Sequence, residues 1–125
     1  MELLKKLCGI HSPSGNEQNI SNFILNYTNE NMSKWKTKPE VFSGNGFQDC
    51  IILKFGNPKT AIFAHMDSIG FTVKYENELI KIGGPVTDDG IFLVGEDSKG
   101  EIEGKLIKKK EKLFIDFNRE IDRGT

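Results

Sequence analysis

The chain has 125 residues, which is enough for one domain, or for one domain and part of another. Its 17 basic and 18 acidic residues leave a formal charge of −1, which argues against a nucleic-acid partner because such proteins usually carry a basic excess. The N-terminus lacks an apolar signal core, and no run approaches the ~18 apolar residues of a membrane helix, so we expect no membrane partner and a cytoplasmic location.

Two helices are predicted at the start of the chain. Three leucines at i, i+1 and i+4 predict a short helix over Glu2–Cys8. Ser14 and Glu17 have the spacing of a capping box, which predicts that a second helix begins there and runs to about Glu30. Its buried face would carry apolar residues at i, i+3, i+4 and i+7: Ile20, Phe23, Ile24 and Tyr27.

After Lys36 the pattern changes to extended structure. Strands are predicted over 37–42 and 49–55, joined at Gly44–Gly46 into a hairpin. The run Thr60–Ala64 is continuously apolar and bounded by turn residues, which is typical of a strand buried on both faces in the centre of an α/β sheet. It is too short for a buried helix.

Beyond residue 67 the sequence predicts five short strands with no helix between them. They cover 69–75, 79–82, 91–94, 101–107 and 112–117. Even spacing of this kind is typical of a small antiparallel barrel or sandwich. The first half therefore reads as α/β, the second half as all-β, and the chain as α+β overall.

The two cysteines are too few for a disulfide framework and lack metal-site spacing. Both Cys8 and Cys50 have apolar neighbours, where a free cysteine behaves as a small core residue. The expectation is two buried thiols in a reducing compartment.

His65 and Asp67 are the candidate site residues. They directly follow the predicted buried strand, and ligands of open α/β sheets bind beyond the carboxyl ends of the strands. Residues two apart point the same way in a strand, so the carboxylate could orient a metal-binding imidazole. Taken alone, His-x-Asp more often marks an ordinary strand-end histidine capped by an aspartate, and both interpretations stay open on this pattern.

The segment Thr60–Phe71, with His65-Met66-Asp67 at its centre, resembles the first metal motif of co-catalytic two-metal metalloaminopeptidases. The closest similarity is to the glutamyl aminopeptidase group that includes the tetrahedral aminopeptidases. Ser12–Glu17 is similar to the start of many such chains, and the family inserts a small β-rich domain after its His-Met-Asp. The resemblance implies that 1–67 begin a phosphorylase/hydrolase-like catalytic domain and that 68–125 form part of an inserted β-barrel domain, of a dimerisation or lid type.

The same resemblance implies the chemistry. His65 would be a direct ligand of one of two divalent metal ions (zinc, cobalt or manganese), and Asp67 the catalytic-site residue that orients it. The reaction would be removal of N-terminal residues from a peptide substrate. A homo-oligomer is expected on separate grounds, because the unpaired strand edges and apolar surface of a partial β-domain invite association. Ser68 departs from the family, which commonly has an acidic residue there. The family's other ligands and its general base lie further along its chain, so we expect this N-terminal portion to be inactive alone.

Two other interpretations assign the chain to different classes of protein. Residues 69–125 could form a non-catalytic β-module for oligomerisation or binding, with His65-Met66-Asp67 a relic or a coincidence. Some relatives of the aminopeptidase family have been labelled as glucanases, which makes glycoside hydrolysis a further possibility. That reaction needs two carboxylates across a cleft, and the sequence shows no such pair. His11 has no carboxylate or histidine partner at ligand spacing and is expected to be structural or exposed.

Overall fold

The computed structural model describes residues 1–125 and combines α-helices with antiparallel β-sheet. The mixed helix-and-strand class expected from the sequence is therefore confirmed. The chain divides into two compact units, Met1–Ser68 and Ile69–Thr125. None of the helices has both the length and the apolar character needed to cross a bilayer.

The first unit contains the two predicted helices and the predicted hairpin. Its elements are α1 (Glu2–Cys8), α2 (Gln18–Asn31), β1 (Glu40–Gly44) and β2 (Gln48–Lys54). The strands pair antiparallel, and Lys54 Nζ lies 3.0 Å from Glu40 Oε1 at the open end. At the closed end Gly44 and Gly46 have φ of +89° and +92°, a region that glycine enters without steric cost.

The start of α2 differs from the predicted capping box. The Glu17 carboxylate accepts the Gly15 N–H at 2.7 Å, and the Ser14 hydroxyl makes no cap. Ser12, which is almost fully buried, instead accepts the Ile20 N–H through Oγ at 3.1 Å. The capping-box prediction is wrong because the chain turns at Pro13, whose carbonyl accepts the Asn16 N–H, before the helix starts.

The first unit buries little apolar surface. Ile20 is its one buried aliphatic side chain. The predicted strand Thr60–Ala64 is wrong: the run has no strand pairing, and Ile62 and Phe63 are 93% and 91% exposed. A strand buried on both faces needs strands at its edges and layers over its faces, and the only sheet of this unit is the β1–β2 hairpin.

The expected burial of the cysteines is also wrong. Cys8 is exposed because it lies on α1, which buries none of its residues. Cys50 is exposed because it falls on the outward side of the alternation along β2. Both are free thiols.

The second unit is one curled antiparallel sheet with strand order β3-β4-β7-β6-β5. All five predicted strands are confirmed: β3 (Gly70–Val73), β4 (Glu78–Ile82), β5 (Phe92–Asp97), β6 (Gly100–Lys109) and β7 (Lys112–Asp116). The two end strands, β3 and β5, are not paired with each other, so the sheet is open rather than a closed barrel. The backbone of Gly124 and Thr125 hydrogen-bonds Val73 and covers part of the β3 edge.

The core of this unit lies on one face of the sheet. Leu106 in β6 is fully buried, and Gly104 on the same strand lets β7 approach, since an added Cβ would lie 2.6 Å from the Asp116 carbonyl oxygen. Alternate residues of the strands point to this face, as the pleat requires. The buried members are Val73, Leu79, Ile102, Leu106, Leu113, Ile115 and Ile121.

A polar clamp holds the segment after β7 against the sheet. The Arg119 guanidinium donates two hydrogen bonds, of 2.6 and 2.8 Å, to the fully buried Asp97 carboxylate at the end of β5. The Asn77 side chain binds the Arg119 carbonyl and the Ile121 N–H. These contacts place Ile121 in the core. The Arg119 hydrogen bonds also hold the pKa of Asp97 far below its usual range.

We expect Leu106→Ala to destabilise the second unit by about 2–5 kcal/mol, because it removes a fully buried side chain and leaves a cavity. Val94→Ala on the exposed face of β5 is the matched control and should stay within about 0.5 kcal/mol. Urea denaturation followed through the amide resonances of residues 70–116 measures both. Equal losses of the free energy of unfolding in the two variants would contradict the assignment of the core to the face of the sheet that carries Leu106.

The clamp predicts a dependence of stability on pH. Since the folded-state pKa of Asp97 is lowered, its stabilisation is complete above the ordinary carboxyl pKa of about 4 and declines as the pH falls below it. The stability difference between wild type and Asp97→Asn should therefore be largest above about pH 5 and shrink in acid. Glu101→Gln controls for the loss of one negative charge. A difference that does not change between pH 7 and pH 2 would contradict the clamp.

Candidate functional site

The predicted site residues lie at the end of the first unit, in a stretch without regular secondary structure over 61–67. This stretch is tied to the loop before α2, because the Ser68 N–H donates to the Ser12 carbonyl at 2.7 Å. Pro13 and Ser68 also form an isolated parallel bridge. The chain around Asp67 is thus held by backbone contacts with Ser12 and Pro13.

The structure brings His65 and Asp67 into direct contact. His65 Nδ1 lies 2.9 Å from the Asp67 carbonyl oxygen and 3.3 Å from Asp67 Oδ1. A carbonyl and a carboxylate oxygen can only accept, so Nδ1 must carry the proton. In a neutral imidazole the lone pair then lies on Nε2, and the side chain is 82% exposed. This is the arrangement of a metal-ligating histidine whose other ring nitrogen is held by an oxygen acceptor.

The second oxygen of Asp67 has a partner of its own. The Ser14 hydroxyl donates to Asp67 Oδ2. This hydrogen bond is the main cause of a lowered Asp67 pKa, and the neighbouring His65 lowers that pKa further. Asp67 is therefore a carboxylate at neutral pH. With Oδ2 bound to Ser14 and Oδ1 facing Nδ1, it is placed to orient His65.

Sequence reasoning missed Ser14 as a member of this group. Its spacing to Glu17 indicates a helix cap, and it lies 53 positions before Asp67 in the sequence, so no local spacing points to the contact. His11 joins no such group: its side chain is exposed, and its carbonyl accepts a hydrogen bond from Asn19.

The donor set fits one ligand position and not a complete metal site. No group of three or more His, Cys, Asp or Glu side chains in the chain could hold a metal ion. Catalytic zinc usually has three protein ligands and a water. His65 Nε2 offers one of these, because Asp67 is occupied by its hydrogen bonds.

The site is not a pocket. A surface depression of about 590 Å³ lies between α1 and α2 and includes neither His65 nor Asp67. Residues of these two helices line it, among them Leu3, Phe23 and Tyr27. The His65 side chain, at 82% exposure, lies on an open surface.

Comparison with the models of known protein families finds no match for this chain.

We expect the exposed run before His65 to be the first site of proteolysis. Phe63 is 91% exposed and lies outside any sheet, so chymotrypsin needs no unfolding to reach it. Brief digestion followed by mass spectrometry should show a first cut after Phe63, and Phe63→Ser should remove that cut. Phe71, inside β3, is the internal control. Cleavage after Phe71 before Phe63 would contradict the exposure of the run.

Proposed function

We propose that this chain is the N-terminal, ligand-bearing part of a two-metal metalloaminopeptidase that removes N-terminal residues from peptides. His65 binds one of two divalent ions, of the zinc, cobalt or manganese type, and Asp67 orients it. The observation that carries the proposal is the contact of His65 Nδ1 with Asp67, which leaves Nε2 free on an 82% exposed side chain. The similarity of Thr60–Phe71 to the family's metal motif supports it.

The protein's own residues have limited roles in this chemistry. Paired metal ions, when bound, supply an activated water and polarise the scissile carbonyl. His65 contributes a nitrogen ligand, and in the neutral ring its contact with Asp67 favours the tautomer with the proton on Nδ1 and the lone pair on Nε2. One ligand does not make a site, so the remaining ligands and the general base belong to other parts of the enzyme.

The sparse burial of the first unit supports the same proposal. An apolar run of strand composition, Thr60–Ala64, leaves Ile62 and Phe63 almost fully exposed, and a monomeric domain rarely leaves such a run uncovered. On this proposal 1–67 belong to a larger phosphorylase/hydrolase-like sheet, in which the run becomes an inner strand. Residues 68–125 belong to an inserted β-domain of a homo-oligomer. The free thiols of Cys8 and Cys50 favour a cytoplasmic location.

A second candidate is a non-catalytic β-module that serves oligomerisation or binding. One observation favours it: seven of the eight buried apolar side chains lie in the second unit, which has a core of its own. In that case the His65–Asp67 contact is a local cap without a ligand role.

Metal titration separates the two candidates. We expect Mn²⁺ to bind weakly and to broaden the His65 ring resonances before those of His11, because only His65 has Nδ1 held by oxygen acceptors. His65→Ala should remove this selective binding. The 125-residue chain should not hydrolyse aminoacyl chromogenic substrates with added zinc, manganese or cobalt, since it holds one ligand.

Two results would contradict these expectations. Equal broadening at His65 and His11 would remove the ligand role and favour the β-module. Turnover that disappears in His65→Ala would show that the chain holds a working site, against the incomplete donor set described above.

A further inference from the structure

The loop over Ser12–Ser14 is held by two hydrogen bonds of Ser12, the second of which belongs to the parallel bridge of Pro13 with Ser68. Ser12 is 1% exposed, and its Oγ accepts the Ile20 N–H from the first turn of α2. Its carbonyl accepts the Ser68 N–H at 2.7 Å. Pro13 bridges Ser68 as a parallel partner. A side chain carried by this loop is therefore held at a defined distance from the chain that precedes Ser68.

Ser14 is the polar side chain that the loop directs at the candidate site. Its hydroxyl donates to Asp67 Oδ2, while Asp67 Oδ1 faces His65 Nδ1 at 3.3 Å. Since one carboxylate oxygen is anchored, rotation of the Asp67 side chain is restricted. The Asp67 carbonyl then forms the hydrogen bond with Nδ1 at 2.9 Å, and the anchored carboxylate places Oδ1 3.3 Å from the same imidazole nitrogen.

We infer that Ser14 is a positioning residue of this site: its hydroxyl holds Asp67, and Asp67 thereby holds His65 in the Nδ1–H tautomer with Nε2 open to a metal ion. The inference rests on the proposed function for the metal, but the ordering of His65 by Ser14 does not require a metal to be bound.

Two other roles for Ser14 conflict with the contacts. It is not the cap of α2, because Ser12 supplies the hydroxyl that meets the Ile20 N–H. It is not an activated nucleophile, because its hydroxyl donates to a carboxylate and not to an imidazole, and His65 Nδ1 is itself a donor.

The test measures the tautomer of His65 in the 125-residue chain. It is determined from long-range ¹H–¹⁵N correlations of the ring, at one fixed pH at which imidazoles are neutral. Ser14→Ala should lower the ratio of the Nδ1–H to the Nε2–H form by about two- to fivefold, a change of the order of one ordinary hydrogen bond. Ser14→Thr keeps the hydroxyl and should restore the wild-type ratio.

A matched control comes from the second unit, where the Ser98 hydroxyl donates to the Asp122 carboxylate in the same way. Ser98→Ala should leave the His65 tautomer unchanged, and His11 serves as an internal control in every spectrum. A Ser14→Ala protein that keeps its amide spectrum and an unaltered His65 tautomer would overturn the inference.

Mn²⁺ titration of the same variants keeps the two proposals distinguishable. A tautomer that responds to Ser14→Ala in a protein without selective Mn²⁺ binding at His65 supports the positioning role and contradicts the metal proposal. Selective Mn²⁺ binding in a Ser14→Ala protein whose His65 tautomer is unaltered supports the metal proposal and overturns the positioning role. Weaker selective binding in Ser14→Ala, restored in Ser14→Thr, supports both.

Discussion

Burial of apolar side chains on one face of a five-stranded sheet is the constraint on which the second unit depends. Leu106 of β6 is fully buried, and it belongs to one cluster with buried residues of β3, β4 and β7. The sheet alone leaves part of this face open. The segment after β7 covers it with Ile121, which stays in place because Arg119 is bound to the buried carboxylate of Asp97. Here a charged pair serves the placement of an apolar side chain.

The first unit is organised differently, by polar contacts of a few serines. Ser12 joins the start of α2 to the chain at Ser68, and Ser14 continues from the same loop to Asp67. Little apolar surface is removed from water, so these hydrogen bonds and the β1–β2 ladder carry the local order. The contact of Asp67 with His65 depends on these hydrogen bonds. The position of the candidate ligand is therefore set by the loop and not by a hydrophobic core.

The sequence by itself determined those elements whose cause is local. The leucine spacing placed α1 at its observed bounds, and the glycines of the Gly44–Gly46 turn placed the hairpin. Alternation and turn residues placed all five strands of the second unit, since each strand is short and carries its own signal. The approach of His65 to Asp67 was expected from their spacing of two positions, although the strand on which that expectation rested is absent.

Only the tertiary structure decided what depends on distant partners. The run Thr60–Ala64 has the composition of an inner strand, but composition reports what a strand could bury, not whether neighbouring strands exist to bury it. Exposure of Cys8 followed from an α1 that buries none of its residues, and exposure of Cys50 from its place on the outward side of β2. Ser14 bonded Asp67 across 53 residues instead of capping α2, because the turn at Pro13 carried its hydroxyl away from the helix. Local spacing predicts conformation, whereas contacts of this kind depend on how the loops meet.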